Sequence, residues 1–235
     1  MKNVFNFKTL FVAVFLTATA AGTYAQNAFF PAKAGAILTY AENSADGKTN
    51  SYSRLTIKEV QGSGKNMTIT YIAESLDKNR KSLKPPVEIP CKVIIKDNVM
   101  TLDIKQMFVS QMKDQSVKMD VTGIPVELPN NLQPGQTIKD AEMTMTIDMG
   151  IMKIETVTKM TEGKCLAIED LTVPAGTFKC HKITQTITTT AVGMKKVTTK
   201  VISWYAPGVG TVKTETYDDK GKLFGSTVLV ELTGN

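Results

Sequence analysis

A strict alternation of apolar and polar residues is the feature of this sequence that most constrains its fold. Residues 143–149 alternate without a break, with Met and Ile on one side and Thr and Asp on the other. Residues 183–190 repeat the pattern with Ile and Thr. Because successive side chains of a strand point to opposite faces, each segment predicts a half-buried β-strand.

Turn-forming residues separate such segments at the spacing of β-hairpins. Clusters with Gly, Pro, Asn or Asp occupy residues 43–48, 61–65, 174–177, 207–210 and 218–221. Glycine readily takes positive φ and proline fixes φ, and both suit tight turns. The C-terminal half therefore predicts a meander of antiparallel strands. A sheet with this many long strands favours strong curvature or an open β-barrel, because curling protects exposed strand edges.

One segment departs from the alternation. Ile104, Met107, Phe108 and Met112 recur at helical spacing, with a capping pattern beginning at Asp103. They predict one principal amphipathic helix over residues 103–113, packed on the curved sheet.

The proline-rich segment 123–135 predicts a crossing loop. It would join an N-terminal half (27–122) to the C-terminal meander (136–233). Both halves would belong to a single β-rich domain over residues 26–235.

The first 25 residues have the order of a secretory signal peptide. Lys2 and Lys8 lie beside a short apolar run at 10–16, and small residues lead to Ala25, after which we expect cleavage. The run is shorter than the roughly 20 residues that span a bilayer. We therefore expect export to the periplasm or cell surface, with no transmembrane segment in the mature chain; a retained N-terminal anchor is the alternative.

The charge and the candidate catalytic residues indicate neither nucleic-acid binding nor catalysis. The 28 Lys and Arg against 22 Asp and Glu give a net charge of +6, but the lysines are scattered among acids, so we expect no nucleic-acid partner. The sole histidine, His181, follows Cys180, and neighbours in a strand face apart. We expect no catalytic residue, no metal and no cofactor. A hydrolase would need distant carboxylates, such as Glu169 with Glu215.

The three cysteines allow one disulfide in an exported chain. A tight turn at 174–177 would set Cys180 opposite Leu171 and leave Cys165 roughly 20 Å away along the ladder. A disulfide needs Cα atoms within about 7 Å, so Cys91 with Cys180 is the favoured pair. Otherwise the cysteines are small buried residues.

Methionine is unusually frequent: nine of the 12 lie between residues 100 and 160. Methionine fills irregular gaps in a core and also forms adaptable binding surfaces. The residues therefore fill the core, or they form an apolar concavity for an acyl chain or a partner's apolar segment. Copper capture is a third interpretation. The predicted ligand-binding residues are Met107, Phe108, Met112, Met143, Met145 and Met149.

Two strings carry a family resemblance: LTVPAGTFKCHKI at 171–183 and WYAPGVGTVK at 204–213. Together with residues 216–223, Cys91 and the segment from residue 98, they resemble the TapB-like family of exported Gram-negative envelope proteins, a domain of unknown function. The resemblance covers nearly all of the mature chain and implies no active site. By analogy it suggests a half-barrel like that of the periplasmic lipoprotein carriers, which hold acyl chains under a helical lid.

These observations favour a non-catalytic exported envelope protein that binds an apolar or lipid-like ligand on its concave face. A structural or assembly protein that docks another envelope protein is the alternative. A hydrolase is the third hypothesis.

Overall fold

A computed structural model describes residues 28–83, 88–102, 118–148, 150, 152–193 and 195–234. The described residues form 13 strands in one antiparallel sheet and contain no helix. The strands are β1 (Ile37–Ser44), β2 (Thr49–Ser63), β3 (Asn66–Leu76), β4 (Glu88–Lys96), β5 (Val99–Leu102), β6 (Lys118–Ile124), β7 (Glu127–Pro129), β8 (Ala141–Asp148), β9 (Lys153–Val173), β10 (Gly176–Ala191), β11 (Val197–Ala206), β12 (Gly210–Tyr217) and β13 (Leu223–Thr233).

The strand order is β6-β8-β9-β10-β11-β12-β13-β1-β2-β3-β4-β5-β7. Most neighbours are consecutive hairpins, while β13 returns to pair with β1 and joins the two halves of the chain. The prediction of a mainly β, antiparallel fold is confirmed. The sheet is not closed, since β6 and β7 form its two edges. The helix expected at 103–113 and the signal peptide expected at 1–25 lie outside the described residues.

The sheet curves strongly. Met160 in β9 and Leu128 in β7 line the same cavity, although ten strand-to-strand steps separate them in the sheet order. In a flat sheet those strands would lie about 48 Å apart at the usual strand spacing. One face of the sheet is therefore concave, and its side chains converge.

Two irregular segments cross this concave face at one end. Residues 28–36 bring Phe29 into a fully buried position, where its N–H donates to the Asn130 side chain at 3.1 Å. The segment after β7 reaches β9, where the Ile138 N–H donates to the carbonyl of Gly163 at 2.8 Å. A Cβ on Gly163 would lie 2.8 Å from Cβ of Ile138, so glycine permits this close approach.

Three buried clusters surround the concave space. The first lies between β2, β3 and β4 around Ile69 and Val93; the second lies around Leu38, Trp204 and Leu229. The third contains Phe29, Leu132, Ile138, Cys165 and Ile183. The core is thus divided around a hollow rather than gathered at one centre.

The cysteines correct two expectations. Cys180 lies opposite Glu169 rather than Leu171, because the turn between β9 and β10 contains only residues 174 and 175, with Val173 paired to Gly176. The three cysteines all lie within the described residues and form no disulfide there: Cys91 and Cys180 are buried in different clusters, so the expected pair is not formed. All three cysteines are small buried residues, as the alternative interpretation of the sequence states.

Within the described ranges, no helix has the length and apolarity that a membrane crossing requires.

Candidate functional site

The concave face holds a cavity of about 530 Å³. Its lining comes from both halves of the sheet and from the N-terminal segment, so the curvature of the whole sheet creates it. The side chains around the cavity form three parts: an apolar wall, a wall rich in hydroxyl groups and an aromatic floor.

One wall is apolar. It is built by β1 to β5, where residues facing the cavity stand opposite one another across neighbouring strands, as Leu38 does with Leu55 and Val93 with Leu102. Leu38 and Val93 are almost fully buried. Met100 and Tyr71 complete this wall. The wall follows from the alternation in sequence, since most residues that these strands turn towards the cavity are apolar, with Ser53 as a polar exception.

The opposite wall is rich in hydroxyl groups. Strands β11, β12 and β13 contribute Ser203, Thr214 and Thr227, which stand in register across the sheet. The hydroxyls of Ser203 and Thr214 are 3.1 Å apart and hydrogen-bond each other. Gln185 of β10 and Ser53 of β2 add further polar groups.

Aromatic residues of the chain's own N-terminal segment form the floor. The Phe29 ring packs edge-on against His181, with centroids 4.9 Å apart, and lies 5.7 Å from Tyr205. Phe30 packs 5.1 Å from Tyr71. Gly210 passes beneath with φ of +99°, where a Cβ would lie 3.3 Å from the Phe29 carbonyl oxygen. The floor therefore depends on a backbone conformation that glycine adopts easily.

Buried tyrosines keep the lining uncharged. The Tyr40 hydroxyl donates to the carbonyl of Thr211 at 3.0 Å. Burial raises the pKa of Tyr40, and the nearby Tyr205 and Glu42 raise it further. Burial likewise raises the pKa of Tyr71 and of Tyr205. These phenols are neutral hydrogen-bonding groups at any physiological pH.

The methionines that line the cavity are not those expected from the sequence. Met100 and Met160 contact it. Met143 and Met145 follow Ala141 in β8 by two and four positions, and Ala141 pairs with Met160, so these methionines share one face of the sheet. Both nevertheless lie beyond the cavity, towards edge strand β6. The remaining predicted residues, Met107, Phe108, Met112 and Met149, lie outside the described residues.

The sequence pattern did not indicate the aromatic floor. Phe29, Phe30 and Pro31 fall between the predicted cleavage site and the first strand, outside any alternating segment. The available signal was the presence of two adjacent large aromatics in a segment without strand pattern, since such side chains contribute heavily to a core when buried.

Comparison with known proteins identifies the family and the fold. A model of the DUF3108-like family matches residues 33–229, which is most of the chain. This chain belongs to the DUF3108-like family. The comparisons do not confirm the TapB-like name that the two strings suggested. No match was found among curated proteins.

Two crystal structures share the fold of this DUF3108-like protein. One is a proposed lipoprotein from Parabacteroides distasonis, with a TM-score of 0.70 and 23% identity. The other is a proposed exported protein with a YmcC-like fold from Bacteroides fragilis, with a TM-score of 0.67 and 18% identity. Each alignment covers 87% of this chain and 98% of the other. At these identities the likeness establishes the fold alone.

The carboxylates considered for a hydrolase both lie near Trp204 in this DUF3108-like protein. The Trp204 indole N–H donates to Glu169 at 2.8 Å, and that bond, together with Lys182, lowers the pKa of Glu169. Burial opposes ionisation of Glu215, but bonds from Lys213 and Tyr217 outweigh it and lower its pKa. Because both groups are held ionised beside lysines, neither is suited to act as a general acid.

The described residues contain no group of three or more His, Cys, Asp and Glu side chains placed to hold a metal ion. His181, the one histidine, donates its Nδ1–H to the carbonyl of Leu132 at 2.9 Å and packs on Phe29. Its contacts hold the crossing segment and the floor in place, which is a structural role.

Proposed function

We propose that this protein is an exported envelope protein that holds an apolar or lipid-like ligand in the concave cavity. The observation that carries the proposal is the cavity itself, about 530 Å³ in volume, with a mainly apolar wall on one side. Ligand sites are typically concavities of about 300–1,000 Å³ with mainly apolar linings and a few oriented polar groups. This cavity has both properties.

Burial of apolar surface would supply the binding energy. Each methylene transferred from water into the cavity contributes about 0.8 kcal/mol. A chain of a dozen methylenes therefore has enough hydrophobic free energy for binding, after the ordering of ligand and lining is subtracted. The polar wall would orient the ligand and contribute less to its affinity.

Export is supported by the sequence of the first 25 residues and is compatible with the shared fold. A charged start, a short apolar run and small residues before Ala25 form the pattern of a cleaved signal. The two structural neighbours are described as a proposed exported protein and a proposed lipoprotein. An N-terminal sequence of the protein recovered from cells would test cleavage after Ala25.

Ligand binding can be tested with a cavity-filling variant. We expect native mass spectrometry of freshly purified protein to show a bound lipid, and a fluorescent fatty-acid probe to bind the delipidated protein. Leu55→Trp should weaken probe binding at least tenfold, because the half-buried Leu55 side chain lines the cavity. The matched control is Ile94→Trp, at an exposed position of the same sheet, which should leave binding unchanged. Absence of both lipid and probe binding would refute the proposal.

A docking role would use a different part of the molecule. Within the described residues, edge strand β6 pairs only with β8 and leaves its other side for strand addition. This alternative gains support if the probe does not bind and a partner co-purifies from envelope extracts through β6.

A further inference from the structure

Glu42 lies at the edge of the cavity on the concave face. It follows Tyr40 by two positions in β1, so both side chains point to the same side of the sheet. Its carboxylate accepts two hydroxyl hydrogen bonds, from Ser53 Oγ to Oε1 at 3.0 Å and from Thr227 Oγ1 to Oε2 at 2.7 Å. Ser53 and Thr227 both line the cavity. The carboxylate is thus fixed by groups that a ligand would touch.

Glu42 has the only charged side chain on the cavity side of β1 and of the strands next to it. Among the described residues that the registers place on the cavity side of β1, β2, β3, β8, β11, β12 and β13, Glu42 has the only ammonium, guanidinium or carboxylate group. Charged residues of these strands face outward instead, as Glu142 does in its ion pair with Lys159. No cation of the described residues forms an ion pair with Glu42.

A half-buried carboxylate with two hydroxyl donors still has unused acceptor capacity. An ionised carboxylate offers about four acceptor positions, and placing it beside apolar surface is unfavourable unless opposite charge or further donors compensate. An ammonium group supplies both, because it carries a positive charge and three N–H donors. Hydrogen bonds between charged partners are stronger than those between neutral ones.

The surroundings of Glu42 indicate how such a ligand would lie. The carboxylate stands where the apolar wall of β1 and β2 meets the hydroxyl wall of β13. From Glu42 the face continues through Tyr40 and Leu38 towards the aromatic floor, a distance of about 13 Å along the strand. An extended apolar chain would fit along this path, with its polar end at the carboxylate.

We propose that the ligand is an amphiphile with an amine head group, whose ammonium binds Glu42 while its chain extends towards Phe29 and Phe30. The inference rests on the proposed function, since it specifies the chemical class of ligand for the same cavity. An anionic amphiphile of equal length would meet repulsion from the Glu42 carboxylate.

Three probes of equal chain length separate the charge effect from the apolar effect. Isothermal titration below the micellar concentration compares dodecylamine, dodecanol and dodecyl sulfate on the full mature protein. We expect dodecylamine to bind at least tenfold more tightly than dodecanol, and dodecyl sulfate to bind more weakly than both.

The variant Glu42→Gln keeps an acceptor of the same shape and removes the charge. It should bind dodecanol as the parent protein does, which also shows that it is folded, and should lose the preference for dodecylamine. The control Glu59→Gln makes the same change at an exposed position of β2 and should keep the preference.

The outcomes distinguish this inference from the proposed function. If dodecanol binds but dodecylamine binds no more tightly, or if Glu42→Gln retains the preference, the amine inference is wrong and the apolar cavity stands. If none of the three amphiphiles binds, the proposed function fails and the inference fails with it.

Discussion

The aromatic floor gives the strongest test of how the chain encloses its cavity. Phe29 precedes the first strand and is fully buried, so we expect Phe29→Ala to destabilise the whole protein. A buried Phe removes roughly 150–250 Å² from water. At about 25 cal/mol per Å² this area corresponds to about 4–6 kcal/mol. The loss of the edge-on contact with His181 adds about 0.5–1.5 kcal/mol.

Partial collapse of the site and residual structure in the unfolded chain reduce this sum, and measured values for such changes are about 3–5 kcal/mol. For a chain of this size, 1 kcal/mol shifts the midpoint of thermal unfolding by about 2–4 °C. We therefore expect Tm to fall by about 6–20 °C in a melt followed by circular dichroism. Urea unfolding should show the same loss in free energy.

Two comparisons make the result specific. Phe224→Ala removes the same side chain at a position that is 74% exposed, and should change the free energy of unfolding by less than about 0.5 kcal/mol. Phe30→Ala, at a half-buried position, should fall between the two. A Phe29→Ala protein as stable as the parent would show that the N-terminal segment is not part of the core, and the enclosed cavity would lose its floor.

Three further predictions concern the crossing segment, His181 and the thiols. Gly163→Ala should lower the free energy of unfolding, measured by urea titration, by about 1–3 kcal/mol, because the new methyl group meets Ile138. Gly193→Ala should lower it by about 1 kcal/mol, because the position has open space around it but a positive φ. Burial lowers the pKa of His181 below 6.5 despite its bond to Leu132, so the unfolded chain binds protons more readily and stability should fall as pH drops below about 6.5. His181→Gln should flatten Tm between pH 8 and 5, and an unchanged profile would contradict this. Burial raises the pKa of Cys91 and of Cys165. Burial, together with the negative charges of Glu169 and Asp170, raises the pKa of Cys180 to about 12. The native thiols should therefore resist Ellman's reagent at pH 8 and all react in urea, whereas the loss of two hydrogens in an intact mass would reveal a disulfide.

The strands were predictable because their physical signal is local. Alternation at 143–148 falls within β8, alternation at 183–190 falls within β10, and residues 45–48 of the first turn cluster separate β1 from β2. A side chain's face depends only on its position in its own strand, so period two is visible without knowledge of the partner strand.

Register and the floor were not predictable from local patterns. The glutamate at 162 has a φ of +57° and lies where the β9–β10 register shifts, and neither composition nor turn residues mark that position. Such a bulge changes which residues stand opposite each other beyond it, whereas the partner of Cys180 is set by the two-residue turn at 174–175. The floor depends on Phe29 meeting Asn130, 101 residues away, and no local pattern reports a contact at that separation.

The division of the core around a hollow links binding to stability. The residues that line the cavity belong to different clusters: Tyr71 and Val93 to the first, Leu38 and Val209 to the second, and Phe29 and Leu128 to the third. A ligand in the cavity would contact all three clusters at once and would supply apolar contacts that an undivided core provides by itself. A ligand that binds only the folded chain stabilises it by RT ln(1 + [L]/Kd), which is about 2.7 kcal/mol at one hundred times Kd. The empty cavity therefore lowers the number of apolar contacts within the core. A bound ligand would supply those contacts and so stabilise the folded protein.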